Sequence, residues 1–203
     1  YGDNLQFYRN STLLLHLNYN GRVGIGTTSP TGLLSFPAAD SDTPKIRFLT
    51  TADTDLADAA LSTTDDSGGT ALLIGSNIFL DSAGAIDRFT NSRSGAGIQL
   101  DYTGRVKFFT ETGTTVPSEK MRLDENGRLG IGMTPTHNFN LRSAGNVEFR
   151  VQSTDDDARL QISSDTDEGQ DSVLEFLSGT TTRGSIIYDH NTTAASQKMD
   201  FKV

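Results

Sequence analysis

The side chains of this chain that could do chemistry are carboxylates, three histidines and a glycine-rich phrase. Asp155, Asp156, Asp157, Asp165, Asp167 and Glu168 fall in two short runs, STDDDAR and SSDTDEGQD. Hard cations take Asp oxygens at alternate positions of a loop closed by a distal Glu. No D-x-D-x-D-G loop is present, so both runs read as solvated loops. A carboxylate pair can also hydrolyse a glycosidic bond. Sugar clefts are commonly lined by Trp, however, and the chain has none. His16, His137 and His190 lie in different segments, with no HExxH pattern and no close pair, and read as surface or interface groups. The phrase GIGTTSP has no Lys and opens no helix, so it lacks the context of a phosphate loop. There is no G-x-S-x-G elbow and no cysteine, which removes a thiolate nucleophile, thiolate metal sites and disulfides together. The chain therefore reads as no enzyme. It offers no catalytic residue, no metal ligand and no cofactor site, and receptor-binding residues stay unassigned.

The elements around these residues read as strands. Period-two alternation puts Leu5 with Phe7, Ile46 with Phe48, Met121 with Leu123, and Leu129 with Ile131 on common faces. The same pattern covers Val147, Phe149 and Val151, then Leu160 with Ile162, and Met199, Phe201 and Val203. Clusters of Gly, Asn, Asp, Ser and Thr between them are turn chemistry. The best helix candidate, DTDLADAALSTTDD (53–66), reads as a loop with one helical turn. The fold class is all-β.

One phrase occurs twice. NYNGRVGIGTTSP (18–30) returns as DENGRLGIGMTPT (124–136), with matching Asn-Gly dipeptides 106 residues apart. Asn-Gly between alternating runs predicts a two-residue hairpin turn with φ > 0 at both positions. Thr103-Gly104 reads as a variant. In Gly-Ile-Gly each glycine removes a side chain from one face while Ile points to the other, which permits close backbone approach. A single copy reads as a bulged strand in a monomeric sandwich. Recurrence favours three chains meeting near an axis, with Ile25 and Ile131 as axial plugs. The period is too long for a solenoid and suggests modules: a shaft hairpin with the first repeat at 1–30, a β insertion at 31–118, a second repeat hairpin at 119–135, and a second β module at 136–203.

Net charge is −9, from 26 acidic and 17 basic residues, which argues against nucleic acid as a partner. No apolar run approaches the roughly 20 residues of a membrane span. Leu, Ile, Val and Phe total 48 of 203 residues, thin for a self-sufficient globule, so the chain is expected to bury surface against copies of itself. Tyr1 in place of Met suggests a piece of a longer protein.

The phrase NGRVGIGTTSP, and SEKMRLDENGRLGIGMTP (118–135) with its preceding E-x-M-R strand, resemble a recurrent element of bacteriophage tail fibres and tailspikes. GSIIYDHNTTAASQKMDFKV resembles the segment upstream of such a phrase. The resemblance covers about a third of the chain. It implies an elongated, parallel homotrimeric β fibre on the virion, hence extracellular. The implied partners are further copies of the chain, other tail or baseplate proteins, and a host surface receptor, a glycan. Many such fibres end in an endosialidase-type self-cleaving chaperone domain, whose pattern is absent from these 203 residues. The expected role is a structural shaft segment serving host attachment. The alternatives are a glycan-degrading tailspike whose catalytic part lies outside this chain, and a bacterial trimeric adhesin or capsid-decorating fibre.

Overall fold

A computed structural model describes residues 4–37, 44–50, 57–66, 69–113, 115–164, 170–190 and 198–202. All regular structure among them is β. By internal contacts the chain divides into a unit of residues 1–147 and a unit of residues 148–203. In the first, β1 (Leu5–Arg9), β2 (Thr12–Leu17), β3 (Val23–Ile25) and β4 (Leu34–Ser35) make a four-stranded sheet. β5 (Ile46–Phe48), β6 (Ala59–Asp66) and β7 (Gly69–Ser76) begin an eight-stranded sheet. The chain leaves it for a two-stranded ribbon, β8 (Ile78–Leu80) and β9 (Ile86–Arg88). It then returns as β10 (Gly95–Asp101), β11 (Arg105–Glu111), β12 (Ser118–Leu123), β13 (Leu129–Ile131) and β14 (Phe139–Leu141). Apart from the ribbon, spatial order follows chain order, so each strand extends the sheet by one step. Pairing is antiparallel except for β3 with β4 and β13 with β14.

The ribbon covers one end of one face. Leu73, Ile78, Leu80, Ala71 and Phe109 make the buried cluster there. Gly75 and Gly97 make room for it, because a Cβ on either would lie 2.6 Å from an Ile78 side-chain carbon. Asn77 enters the ribbon fully buried at φ 57°. Its Nδ2 donates to the carbonyls of Thr90, Arg93 and Ser94 at 3.0, 2.9 and 3.2 Å, and its Oδ1 accepts from Thr90 N at 3.0 Å. Beyond the ribbon the same face turns polar. Lys107 pairs with Asp101 at 2.5 Å and Arg122 pairs with Glu119.

The second unit holds β15 (Ser172–Ser178), β16 (Thr181–Asp189) and β17 (Lys198–Lys202), again in chain order. Leu174, Ile186 and Phe201 stand opposite one another on one face.

Three local expectations change. Residues 59–66 of the helix candidate form a strand, because β7 pairs along their whole length and Ala60, Ser62 and Thr64 are small enough to lie under the ribbon. The 53–56 part lies outside the described residues, as does Val203. The segments holding Val147, Phe149, Val151, Leu160 and Ile162 are not strands, and no ladder of the described chain reaches them. Their alternation is genuine, but a strand exists only with a hydrogen-bonded neighbour. Finally, the two-residue turn with both φ > 0 is Asn10-Ser11, at 45° and 66°, joining β1 to β2.

Candidate functional site

The duplicated phrase folds into the same module twice, and the match extends to details no dipeptide announces. Each copy has an antiparallel pair with a β-bulge, whose extra residue is Leu14 in β2 and Lys120 in β12. The turn that follows is a longer loop than the one expected. Asn18 and Asp124 accept the first i+3 bond, from Gly21 N and Gly127 N, both at 3.0 Å. Their side-chain Oδ1 atoms accept from N of Asn20 and Arg22, and of Asn126 and Arg128, at 2.9–3.1 Å. Only the glycine takes positive φ, 73° in one copy and 75° in the other. A short polar side chain that bonds the backbone two residues on is what fixes this turn. The same arrangement recurs at Asp81 with Gly84 and at Asp101 with Gly104.

The two glycines of Gly-Ile-Gly do different jobs. A Cβ on Gly24 would collide with the Thr27 carbonyl oxygen. A Cβ on Gly130 would collide with that of Met133 and lie 2.8 Å from Pro135 Cδ. The exit, ending Ser29-Pro30 in the first copy and Thr134-Pro135 in the second, thus folds back over the strand, with both prolines buried. Gly26 and Gly132 stand past the strand end at φ 70° and 73°, donating to Leu14 O and Lys120 O at 3.1 and 2.8 Å. The close backbone approach read from these glycines is made within the chain, by the exit loop at Gly24 and Gly130 and by the Arg142 carbonyl at Gly132.

This lid occupies one face. Ile25 and Ile131 stand on the other, and cross-strand register shows what they join. In the large sheet a first row runs Ile46, Leu61, Ile74, Ile98, Phe108, Met121, Ile131, Leu141, one residue from each of the eight strands. A second row runs Leu72, Leu100, Val106, Leu123, Leu129, Phe139. A third, Phe48, Ala59, Ser76, Ala96, Thr110, Ser118, is small or polar apart from Phe48 at its β5 end and borders the stripe. In the small sheet the matching rows are Phe7, Leu15, Ile25 and Leu5, Leu17, Val23, Leu34. Among the described residues no strand packs over these rows, and only Phe36 and Pro37 line a cavity with part of them, Ile46, Leu61 and Leu72. Ile74 is 51 % exposed, Leu100 45 %, Phe139 52 % and Leu5 55 %. The chain exposes 14109 Å², where a globule of its mass would expose about 9,300 Å². Two separate globules dividing the mass 147 to 56 residues would expose about 11,000 Å².

The side chains first considered for chemistry stay apart. His16 is buried, with Nδ1 2.7 Å from Gln6 Nε2. His137 Nδ1 lies 3.0 Å from Thr136 Oγ1, and His190 Nε2 lies 3.0 Å from Ser172 Oγ. Asp155, Asp156 and Asp157 lie in an exposed loop where Asp157 pairs with Arg159 at 2.6 Å. Asp165, Asp167 and Glu168 lie outside the described residues. Among the described residues no three of His, Asp and Glu come together as a metal site. A cleft of about 420 Å³ opens on the polar face, lined in part by Gln99, Asp101, Tyr102, Lys107 and Glu119. Burial there works to raise the Asp101 carboxyl. The Lys107 ammonium and the Thr103 N–H and hydroxyl outweigh it and hold the group at about 2. Asp58, which anchors β5, is held low chiefly by the Thr50 N–H, against burial and with help from Arg47 at 2.5 Å.

No protein-family model matches the chain, and no curated protein matches it.

Proposed function

We propose that this chain is a structural shaft segment of a trimeric phage tail fibre serving host attachment. The observation that carries the reading is the module match: two hairpins 106 residues apart share bulge, side-chain-locked turn, glycine-lidded strand and parallel return strand. A unit duplicated to this depth serves a role filled more than once along the chain. That suits a scaffold better than a single reaction centre. The chain-order climb of the strands supports it, since each added strand lengthens the structure instead of closing a core. The resemblance of NGRVGIGTTSP to the fibre phrase supplies the class of particle.

The mechanism is mechanical and multivalent. A stiff trimer holds weak receptor contacts on one body, so the second contact forms at high effective concentration. Immunogold labelling with antibody to this chain tests the assignment, on a preparation holding both the producing cells and released particles. Label on fibres projecting from virion tails is expected. Label confined to the bacterial surface, or to capsids, would replace the assignment with an adhesin or a capsid fibre.

A further inference from the structure

The two apolar rows of the eight-stranded sheet form a seam of unusual proportions. Its first row crosses all eight strands, seven steps of about 4.8 Å or about 34 Å, and its second crosses six, with Thr63 of β6 next in line. The seam is two residues wide, one i to i+2 step of about 7 Å, except at the β5 edge, where Phe48 widens it. The small polar row borders it on one side, and the Asp101–Gly104 and Asp124–Gly127 turns border it on the other. The reverse face cannot substitute for it, because that face carries the ribbon at one end and the Lys107–Asp101 and Arg122–Glu119 pairs at the other. Phe36, just past β4, helps line a 380 Å³ cavity with Ile46, Leu61 and Leu72, so the seam continues towards the first module.

We infer that this seam is where copies of the chain meet. Three seams lie side by side around an axis that runs along them, so the strands lie across the fibre axis. This rests on the trimer proposed above and adds which face is buried and which way the axis points. The occupant is the chain itself on grounds of area. The whole chain, both units and their loops included, exposes roughly 3,100 Å² more than two free globules would, 14109 Å² against about 11,000 Å², and the seam is part of that surplus. Obligate oligomers bury about 2,000–5,000 Å². The shape agrees: a long, narrow seam meets its own counterparts position by position when the axis is parallel to it. Ile98 sits at the middle of the first row, between Ile74 and Phe108, and falls beside Ile98 of the neighbouring copies.

The chain has no cysteine, so single cysteines report the geometry directly. Under mild oxidation, Ile98→Cys is expected to give disulfide-linked pairs on a denaturing gel within an assembly of native mass. Ala83→Cys, in the exposed turn of the ribbon, is expected to give none. Ile98→Glu is expected to shift the mass from three chains to one, while circular dichroism retains strand. A wild-type trimer in which Ile98→Cys fails to cross-link and Ile98→Glu stays assembled overturns the seam and leaves the trimer standing. A native mass of two chains, for the wild type or for the cross-linked assembly, overturns the threefold axis. A wild-type monomer removes both.

Discussion

Replacing the strand glycine of the second module, Gly130→Ala, adds one methyl group where two rigid things already stand. Its Cβ would collide with the Met133 carbonyl oxygen and lie 2.8 Å from Pro135 Cδ and 3.1 Å from Pro135 N. A backbone carbonyl and a proline ring cannot swing aside as a long side chain would. Overpacking of this kind costs about 1–3 kcal/mol. For a chain of this length each kcal/mol lowers Tm by about 2–4 °C, so a loss of about 2–12 °C is expected. Three neighbours calibrate the result. Gly127→Ala has open space but φ 75°, and bears only the left-handed cost of about 1–2 kcal/mol. Gly132→Ala combines φ 73° with a collision at the Arg142 carbonyl oxygen, and should be the worst. Gly145→Ala meets nothing within 4 Å, and should fall within about 0.5 kcal/mol of wild type. The assay is thermal unfolding followed by circular dichroism at one fixed protein concentration, since assembly makes Tm concentration-dependent. Gly24→Ala should match Gly130→Ala. If Gly130→Ala melts with Gly145→Ala, the lid formed by the Thr-Pro exit is not what the glycine serves.

Asn77→Ala removes a fully buried side-chain amide that makes four hydrogen bonds, to the backbone of Thr90, Arg93 and Ser94. A loss of about 1–3 kcal/mol is expected in urea unfolding, the cost of losing the hydrogen bonds of one buried polar side chain. Asp101, held at about 2 by Lys107 and Thr103, stabilises the fold above pH 4, and that contribution drains away as pH falls through the native value. Asp101→Asn should therefore lower stability by about 2 kcal/mol at pH 7, with the difference from wild type vanishing near pH 2 in parallel titrations. Calcium should leave Tm unchanged if the runs around Asp155 and Asp165 are solvated. A rise with calcium but not magnesium would show a site, because a ligand bound only to the folded state must stabilise it.

The local pattern made strand positions legible wherever the partner strand is close in the chain. Leu5–Arg9, Ile46–Phe48 and the strands around both Asn-Gly dipeptides fall where alternation placed them. Turn chemistry was only half legible. The Asn-Gly pair marks the place, but Asn18 and Asp124, two residues earlier, lock the loop with their side chains. The Asn10-Ser11 turn carries no glycine to announce it. Where the deciding neighbour is distant, local reading failed. Residues 53–66 read locally as a loop with one helical turn, yet β7 pairs with 59–66, and Val147–Val151 looks like a strand although nothing in the described chain pairs with it. The apolar rows belong to this second kind. Each contributing residue was visible as half of an alternation. That Ile46, Ile98 and Ile131 share one line depends on a register built by seven separate pairings.

On the proposed reading, two further copies of the chain close its apolar faces. Sedimentation equilibrium of the purified chain tests that most directly. The expected mass is three times the 21.9 kDa chain, about 66 kDa, with no folded monomer at micromolar concentration. A stable, well-folded species of 21.9 kDa would contradict it, and the shaft reading with it.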